Sequence, residues 1–191
     1  MRFVPLLLFL VLAACRSEPS GLSVVDDLAD TTWSLVDQDS AAVAFPQDLA
    51  GRPVLLSAVY TRCPDICPVT MANMTRVRRA LEADSARVTF VTVSFDPTRD
   101  TPSVLRAYAR MWRLGPEWSL LTGSPDEVAH LMDRLGIRVE EVPHPGGEGP
   151  PLIDHSDRAF LLDARGRIVE TYSGTATPPD MIAGDIRSLL P

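Results

Sequence analysis

The chain has 191 residues, with 18 basic side chains against 25 acidic ones, and every basic residue is Arg because Lys is absent. The absence of Lys excludes lysine Schiff-base chemistry and the phosphate-binding loop that depends on a Lys. A net charge of −7 argues against a duplex nucleic-acid partner, which requires a basic face on the protein. The apolar content of 46% is typical of a folded globular protein.

The first 14 residues are predicted to be an export signal. Arg2 precedes an apolar run, Phe3–Leu12, that is shorter than the roughly 20 residues needed to cross a bilayer but fits a signal peptide. The following Leu-Ala-Ala-Cys resembles the lipobox of bacterial lipoproteins, which implies cleavage before Cys15 and lipid attachment to that Cys. An ordinary signal peptide cleaved near Ala14 is the alternative. In both cases we expect an exported domain, in the periplasm or elsewhere outside the cytoplasmic membrane, and the lipobox implies that a lipid anchors it to the membrane.

Residues 15–30 mix Ser, Gly, Pro and Asp with little periodicity, which predicts a membrane tether ahead of the folded domain. We expect a single domain over residues 31–191. It begins with a predicted β-hairpin, an N-terminal extension made by Thr32–Val36 and Val43–Phe45.

Beyond the hairpin, the hydrophobic pattern alternates between strand and helix. Nearly continuous apolar runs predict buried strands, and apolar stripes with helical period predict helices. The predicted strands are Pro53–Tyr60, Arg87–Phe95, Trp118–Leu121, Ile137–Val142, Arg158–Asp163 and Arg167–Tyr172, and the predicted helices are Pro68–Ala83, Thr101–Trp112, Ser124–Leu135 and Pro179–Leu190. Residues 143–151, rich in Pro and Gly, are predicted to form a loop. This order favours an α/β fold with a central mixed sheet flanked by helices.

Two Cys lie where the first buried strand meets the first helix, in the segment TRCPDICP. Backbone N–H groups and the helix dipole lower the pKa of a thiol there and make it reactive or metal-binding. In a regular helix the Cβ atoms of Cys63 and Cys67 would lie roughly 5–6 Å apart, whereas a disulfide prefers about 3.5–4.5 Å. The pair can therefore close only if Cys63 lies in the loop before the helix. A structural disulfide is the alternative, although a bridge across so short a segment stabilises little.

Four segments are similar, in this order, to motifs of the Sco (Sco/SenC) family: TRCPDICPVTMANM, SFDPTRDTP, WSLLTG and DHSDRAFLLDARGRIVETYSG. The resemblance extends from about Thr31 to Leu190. It implies a thioredoxin-like fold and a copper protein that helps to assemble the binuclear copper centre of cytochrome c oxidase. The family's copper ligands correspond to Cys63, Cys67 and His155, and Asp96 matches a position near the site with a supporting role.

The residue types agree with copper as the bound metal. Two thiolates favour Cu(I), and an added imidazole lets the site accept Cu(II). Three such ligands do not complete the usual structural zinc site, which takes a fourth Cys or His. Asp154 or Asp157 is expected to orient the other ring nitrogen of His155, as metal-bound His usually requires.

The other potential ligands are expected to have different roles. His130 and His144 are predicted to be exposed to solvent. Met71 and Met74 lie on the apolar stripe of the first helix, which predicts core packing rather than thioether ligation.

Two functions remain open. A copper metallochaperone would deliver copper to, or prepare, the binuclear centre of apo cytochrome c oxidase subunit II or serve another exported copper protein, and other periplasmic copper chaperones are further possible partners. A thiol–disulfide oxidoreductase would instead use Cys63 to attack and Cys67 to resolve, acting on cysteines of exported copper proteins. The three-residue spacing argues against a general reductase. So does His155 with its two preceding residues, which occupy the place of the thioredoxin cis-proline loop.

Overall fold

The computed structural model describes residues 21–144, 147–148 and 151–191. The predicted signal peptide, with Cys15, and the first part of the predicted tether lie outside the described residues. Within the described ranges, no helix combines the length and the apolar character needed to cross a membrane.

The described chain alternates strands and helices much as the hydrophobic pattern predicts. The strands are β1 (Asp26–Asp27), β2 (Trp33–Asp37), β3 (Ala42–Phe45), β4 (Val54–Val59), β5 (Thr89–Ser94), β6 (Trp118–Gly123), β7 (Val139–Val142), β8 (Leu152–His155), β9 (Ala159–Leu162) and β10 (Arg167–Tyr172). The helices are α1 (Ile66–Leu81), α2 (Pro102–Trp112), α3 (Pro125–Arg134) and α4 (Pro179–Leu189).

Eight strands form one mixed sheet in the order β1-β10-β9-β4-β5-β6-β2-β3. The central strands β4, β5 and β6 are parallel, and the strands outside them pair antiparallel. Every residue of β4 is buried, as expected for a strand covered on both faces. The helix α1 packs against α4, whereas α2 and α3 both contact β6. The predicted central mixed sheet with flanking helices is confirmed.

The predicted N-terminal hairpin forms and extends the sheet beyond β6. The strands β2 and β3 pair with each other, and β2 also pairs antiparallel with β6, with Leu35 opposite Gly123. The hairpin thus forms one edge of the main sheet.

The N-terminal boundary of the domain differs from the predicted one at Thr31. The backbone N–H of Val25 donates to the carbonyl of Ile168 at 2.7 Å, β1 pairs with β10, and the Leu28 side chain is fully buried. Residues 25–30 are therefore part of the fold. The sequence pattern did not predict this pairing, because the few apolar residues of this segment make no periodic pattern and the pairing strand is far away in sequence.

The core includes the α1 residues Met71 and Met74, which are buried, so the expected core packing of these side chains is confirmed. A second, two-stranded sheet pairs β7 with β8 and lies outside the main one. The strand β8, which was not predicted, ends at His155 and holds it opposite Val139.

Candidate metal centre

The loop between β4 and α1 carries Cys63 and is fixed by hydrogen bonds to Tyr60 and Asp100. The Cys63 backbone N–H donates to the carbonyl of Tyr60 at 3.2 Å. The buried carboxylate of Asp100 accepts hydrogen bonds from the Thr61 backbone N–H at 2.9 Å and from the Thr61 hydroxyl at 2.6 Å. Asp100 also accepts a bond from the Ser94 hydroxyl at 2.5 Å, so the loop is tied to the end of β5.

Cys63 lies before α1, as a closing thiol pair requires, and Cys67 lies in the first turn of that helix. Both are free thiols, Cys63 half-buried and Cys67 buried. The Cys67 backbone N–H donates to the sulfur of Cys63 at 3.4 Å, so the helix N-terminus faces this sulfur as the sequence predicts.

The pKa values of the two thiols shift in opposite directions. A hydrogen bond from the Cys67 thiol lowers the pKa of Cys63 to about 3 against the opposing effect of burial. The same hydrogen bond and its own burial raise the pKa of Cys67. At neutral pH the pair therefore holds one thiolate, on the more exposed sulfur.

His155 completes the cluster from the end of β8. Its side chain is 7% exposed, and Nε2 lies 3.3 Å from the sulfur of Cys67. The ligand atoms of Cys63, Cys67 and His155 all lie within 4.8 Å of one another. The structure thus brings the three predicted ligand residues together.

Two aromatic rings enclose the imidazole. The ring of Phe95 lies 4.6 Å from that of His155, and Tyr60 meets it edge-on at 6.2 Å. The Tyr60 hydroxyl accepts a hydrogen bond from the Ile153 backbone N–H at 3.3 Å, which connects this ring to β8. The sequence interpretation missed both aromatic residues, although each is the last residue of a predicted buried strand that leads to the site.

Asp96 is 3% exposed and lies just after β5, outside the ligand cluster. One carboxylate oxygen accepts bonds from Arg99 at 3.0 Å and Thr98 at 3.1 Å. The other lies 3.6 Å from Arg62, next to Cys63, and has no hydrogen-bond partner in the described part of the chain. Asp96 therefore reaches the cysteine loop through Arg62 rather than directly.

Neither carboxylate expected to orient the imidazole does so. The backbone carbonyl of Ser156 lies 3.1 Å from Nδ1 of His155, a distance that lets Nδ1–H donate and leaves Nε2 free to bind a metal. The exposed carboxylate of Asp154 pairs instead with Arg138 at 3.1 Å. Ser156 lies just beyond the end of β8.

Asp157 anchors the segment that follows His155. Its carboxylate accepts bonds from Ser173, Thr175 and, at 3.3 Å, from Thr70 on α1. Burial alone would raise the pKa of Asp157, but the hydrogen bonds from Thr175, Ser173 and Thr70 together lower it.

The other two His lie outside the ligand cluster. His130 is exposed, as expected, and its ring contacts that of Trp33 at 5.7 Å. His144 is half-buried rather than fully exposed.

The comparison with known proteins assigns the family. The sequence matches the SCO1/SenC family over residues 25–191. The chain belongs to the SCO1/SenC family. An SCO1 protein homolog of Bacillus subtilis is 29% identical over 187 residues, which cover 95% of this Sco chain and 92% of the homolog.

Solved structures of Sco proteins are similar over most of their length. ScoI of Bradyrhizobium japonicum, solved with copper bound, is 31% identical with a TM-score of 0.74, over 84% of this chain and 98% of that one. A SCO1/SenC family lipoprotein of Bacillus anthracis is 27% identical with a TM-score of 0.74, over 86% and 95% of the two chains. BsSco, a member of the Sco family of cytochrome c oxidase assembly proteins with a disulfide switch, is 25% identical with a TM-score of 0.69, over 88% and 96%. The predicted family and thioredoxin-like fold are confirmed.

The donor set of this Sco domain fits a soft metal ion. A three-coordinate metal with bonds of about 2.0–2.3 Å holds its ligand atoms roughly 3.5–4 Å apart. The observed cluster, with all ligand atoms within 4.8 Å, needs only a small contraction to reach that spacing. Two sulfurs and one imidazole nitrogen match the preferences of copper in both oxidation states.

Proposed function

We propose that this Sco domain is a metallochaperone that binds copper, as Cu(I) and as Cu(II), through Cys63, Cys67 and His155. It delivers copper to, or prepares, the binuclear copper centre of cytochrome c oxidase subunit II. The observation that carries the proposal is the convergence of two sulfurs and Nε2 within 4.8 Å at the end of the central strands.

The exposure of the three ligands suits transfer to another protein. Cys67 and His155 are buried, whereas Cys63 is half-buried and carries the thiolate. A ligand from a partner protein therefore meets the Cys63 sulfur first. The rings of Tyr60 and Phe95 hold the imidazole in place and keep water away from its inner side.

The surroundings of the ligands add two supporting roles to the proposal. Asp96 supports the cysteine loop through Arg62, and Asp154 supports the end of β8 through Arg138. Both act through an arginine and neither is a ligand.

The target and the location belong to the same proposal. BsSco is a member of the Sco family of cytochrome c oxidase assembly proteins, which supports the oxidase as client. Another exported copper protein or a periplasmic copper chaperone is a further partner in the proposal. The lipoprotein of Bacillus anthracis supports lipidation at Cys15 and anchoring of the exported domain at the membrane.

The copper proposal is tested by titrating the reduced full chain with Cu(I) and Cu(II). We expect one copper per chain and an absorption band from thiolate-to-Cu(II) charge transfer. His155→Ala removes one of the three ligands and is expected to weaken Cu(II) binding by at least about tenfold, roughly 1.4 kcal/mol, with less effect on Cu(I) because both sulfurs remain. His130→Ala is the matched control and should bind copper as the wild type does. Unchanged Cu(II) affinity in His155→Ala would refute the ligand assignment.

A thiol–disulfide oxidoreductase is the second candidate, favoured by the lowered pKa of Cys63 beside a second thiol. The Cys63 thiolate attacks a disulfide of the client and releases one client thiolate, leaving a mixed disulfide. Cys67 then loses its proton and attacks the Cys63 sulfur, which releases the second client thiolate and closes the Cys63–Cys67 disulfide. The client is reduced by two electrons and the pair is oxidised by two.

The variant His155→Ala distinguishes the two candidate functions. If reduction of the client is the main role, His155→Ala still reduces an oxidised copper-site client with one chain consumed per client disulfide, and oxidase assembly continues. If copper transfer is the main role, the same variant retains the thiol chemistry but the oxidase stays without copper.

A further inference from the structure

A cavity adjoins the metal centre on the side of the small sheet. It has a volume of about 440 Å³ and lies between β7, α3 and the loop after β5. Apolar side chains line it, among them Phe95, Met132 and Ile153. Phe95 also contacts the ring of His155, so the cavity and the metal site share a wall.

The strand β7 presents an unpaired edge beside this cavity. Within the described residues it pairs only with β8. The Ser156 backbone N–H donates to the Arg138 carbonyl on the β8 side, so antiparallel alternation turns the backbone groups of Val139 and Glu141 away from β8. The Val139 side chain is 36% exposed. Unpaired backbone groups of this kind can pair with an added strand.

The lining of the cavity carries an excess of negative charge. Its ionisable residues are Asp96, Asp133, Glu140 and Glu141, against Arg99 and Arg138. Arg99 is already paired with two of these carboxylates, and Arg138 with Asp154. Asp133 and Glu140 form no ion pair in the described part of the chain. The surface therefore favours a ligand with a positive charge.

The cavity and the unpaired edge of β7 together form a groove. We propose that this groove receives an extended segment of the client protein, which adds to β7 as a further strand and places a basic side chain near Asp133 and Glu140. Strand addition supplies backbone hydrogen bonds, and the cavity accepts the alternate side chains. The proposal rests on the proposed function, because Val139 lies opposite His155 and an added strand would lie two strand spacings, about 10 Å, from it.

A second copy of this chain fits the groove less well. Pairing of β7 with its own copy would bring Glu140 and Glu141 against the same carboxylates, and like charges on facing strands are destabilising. A basic segment from a different protein meets no such repulsion.

The test is amide hydrogen exchange of the full chain, read by mass spectrometry with and without two blocked peptides, acetyl-Val-Arg-Val-Arg-Val-amide and acetyl-Val-Glu-Val-Glu-Val-amide. At ten times its dissociation constant, the basic peptide should slow exchange over residues 139–141 by about elevenfold. The acidic peptide should leave the same amides unprotected.

Two variants at Glu141 isolate the contribution of its backbone N–H to peptide binding. Glu141→Ala removes the carboxylate but keeps the outward N–H, whereas Glu141→Pro removes both. Since proline is tolerated at an unpaired edge, β7 should still pair with β8. We expect Glu141→Pro to bind the basic peptide at least about fivefold more weakly than Glu141→Ala. Glu140→Gln should reduce the preference for the basic peptide. A cooperative urea unfolding transition in each variant shows that the fold is intact.

The proposal is overturned by equal protection from both peptides, by no protection at residues 139–141, or by equal affinity of the two Glu141 variants. Protection that rises with protein concentration alone would assign the edge to a second copy and also overturn it. Copper binding is read separately. A chain that binds the basic peptide but no copper refutes the proposed function and supports the groove, whereas copper binding without peptide binding refutes only the groove.

Discussion

Replacing Asp157 is expected to disturb the metal centre without removing a ligand. One oxygen of its carboxylate accepts three hydrogen bonds, from the Ser173 hydroxyl at 2.8 Å and from the Thr175 backbone N–H and hydroxyl at 3.1 and 2.7 Å. The other accepts a bond from Thr70 at 3.3 Å. Thr70 follows Cys67 on α1, and Asp157 follows His155, so this carboxylate ties together the segments that carry two of the ligands.

The size of the expected loss of stability follows from the number of hydrogen bonds that Asp157 accepts. A hydrogen bond contributes about 1 kcal/mol net to stability, and more when one partner is charged. Asp157→Ala removes three hydrogen bonds and a weaker fourth, because the Thr70 hydroxyl has one proton and also lies 3.2 Å from the carbonyl of Ile66. The half-buried hydroxyls of Ser173 and Thr175 regain some water, so we expect a loss of about 2–4 kcal/mol in the free energy of unfolding. In Asp157→Asn, the amide oxygen can still accept the three hydrogen bonds from Ser173 and Thr175. This variant should therefore lose only about 1–2 kcal/mol in the free energy of unfolding.

Urea unfolding of the full chain, followed by tryptophan fluorescence, measures these losses. Asp180→Asn, which changes an exposed carboxylate at the start of α4, is the matched control and should lie within about 0.5 kcal/mol of the wild type. Because a loosened His155 segment lets the imidazole leave its position, Asp157→Ala should also bind Cu(II) about tenfold more weakly, with Cu(I) less affected.

The reasoning fails if Asp157→Ala unfolds within about 0.5 kcal/mol of the wild type. It fails equally if the variant is destabilised as expected but its Cu(II) affinity is unchanged, because the carboxylate would then hold the fold without positioning His155.

Two further predictions concern the fold. Leu28→Ala should lower the free energy of unfolding by about 2–4 kcal/mol in urea because this side chain is fully buried, whereas Val25→Ala, at a position 67% exposed, should change it little; equal effects would contradict the packing of the N-terminal segment. Burial raises the pKa of Tyr172, so its contribution to stability is complete below about pH 10, the unfolded value, and is lost as the pH rises above it. Between pH 10 and 11 the wild type should lose up to about 1.4 kcal/mol more than Tyr172→Phe, and parallel pH profiles would contradict this.

The sequence predicted the parts of this protein that depend on local pattern. Continuous apolar runs predicted β4 and β5, and the helical stripe of Met71 and Met74 predicted the buried face of α1. The family motifs supplied Cys63, Cys67 and His155, which the structure brings together.

What the sequence did not predict depends on contacts between distant segments. The strand β8 has only two apolar residues and exists because it pairs with β7. Asp154 was expected to orient His155, but Arg138 holds its carboxylate and the Ser156 carbonyl takes the place at Nδ1. Such choices between neighbouring acceptors depend on side-chain positions that no spacing in the sequence encodes.

The ligands of the metal centre lie on segments that meet only in the folded protein. Cys67 and His155 are 88 positions apart, and the pairing of β9 with β4 brings their segments together. An unfolded chain therefore keeps Cys63 and Cys67 near each other but holds no complete ligand set, so copper that needs all three ligands also stabilises the fold. At a free copper concentration of 100 times the dissociation constant the gain is about 2.7 kcal/mol. Under the proposed function, each transfer of copper to a client leaves a less heat-resistant protein, and the melting temperature of the chaperone reports whether it carries its cargo.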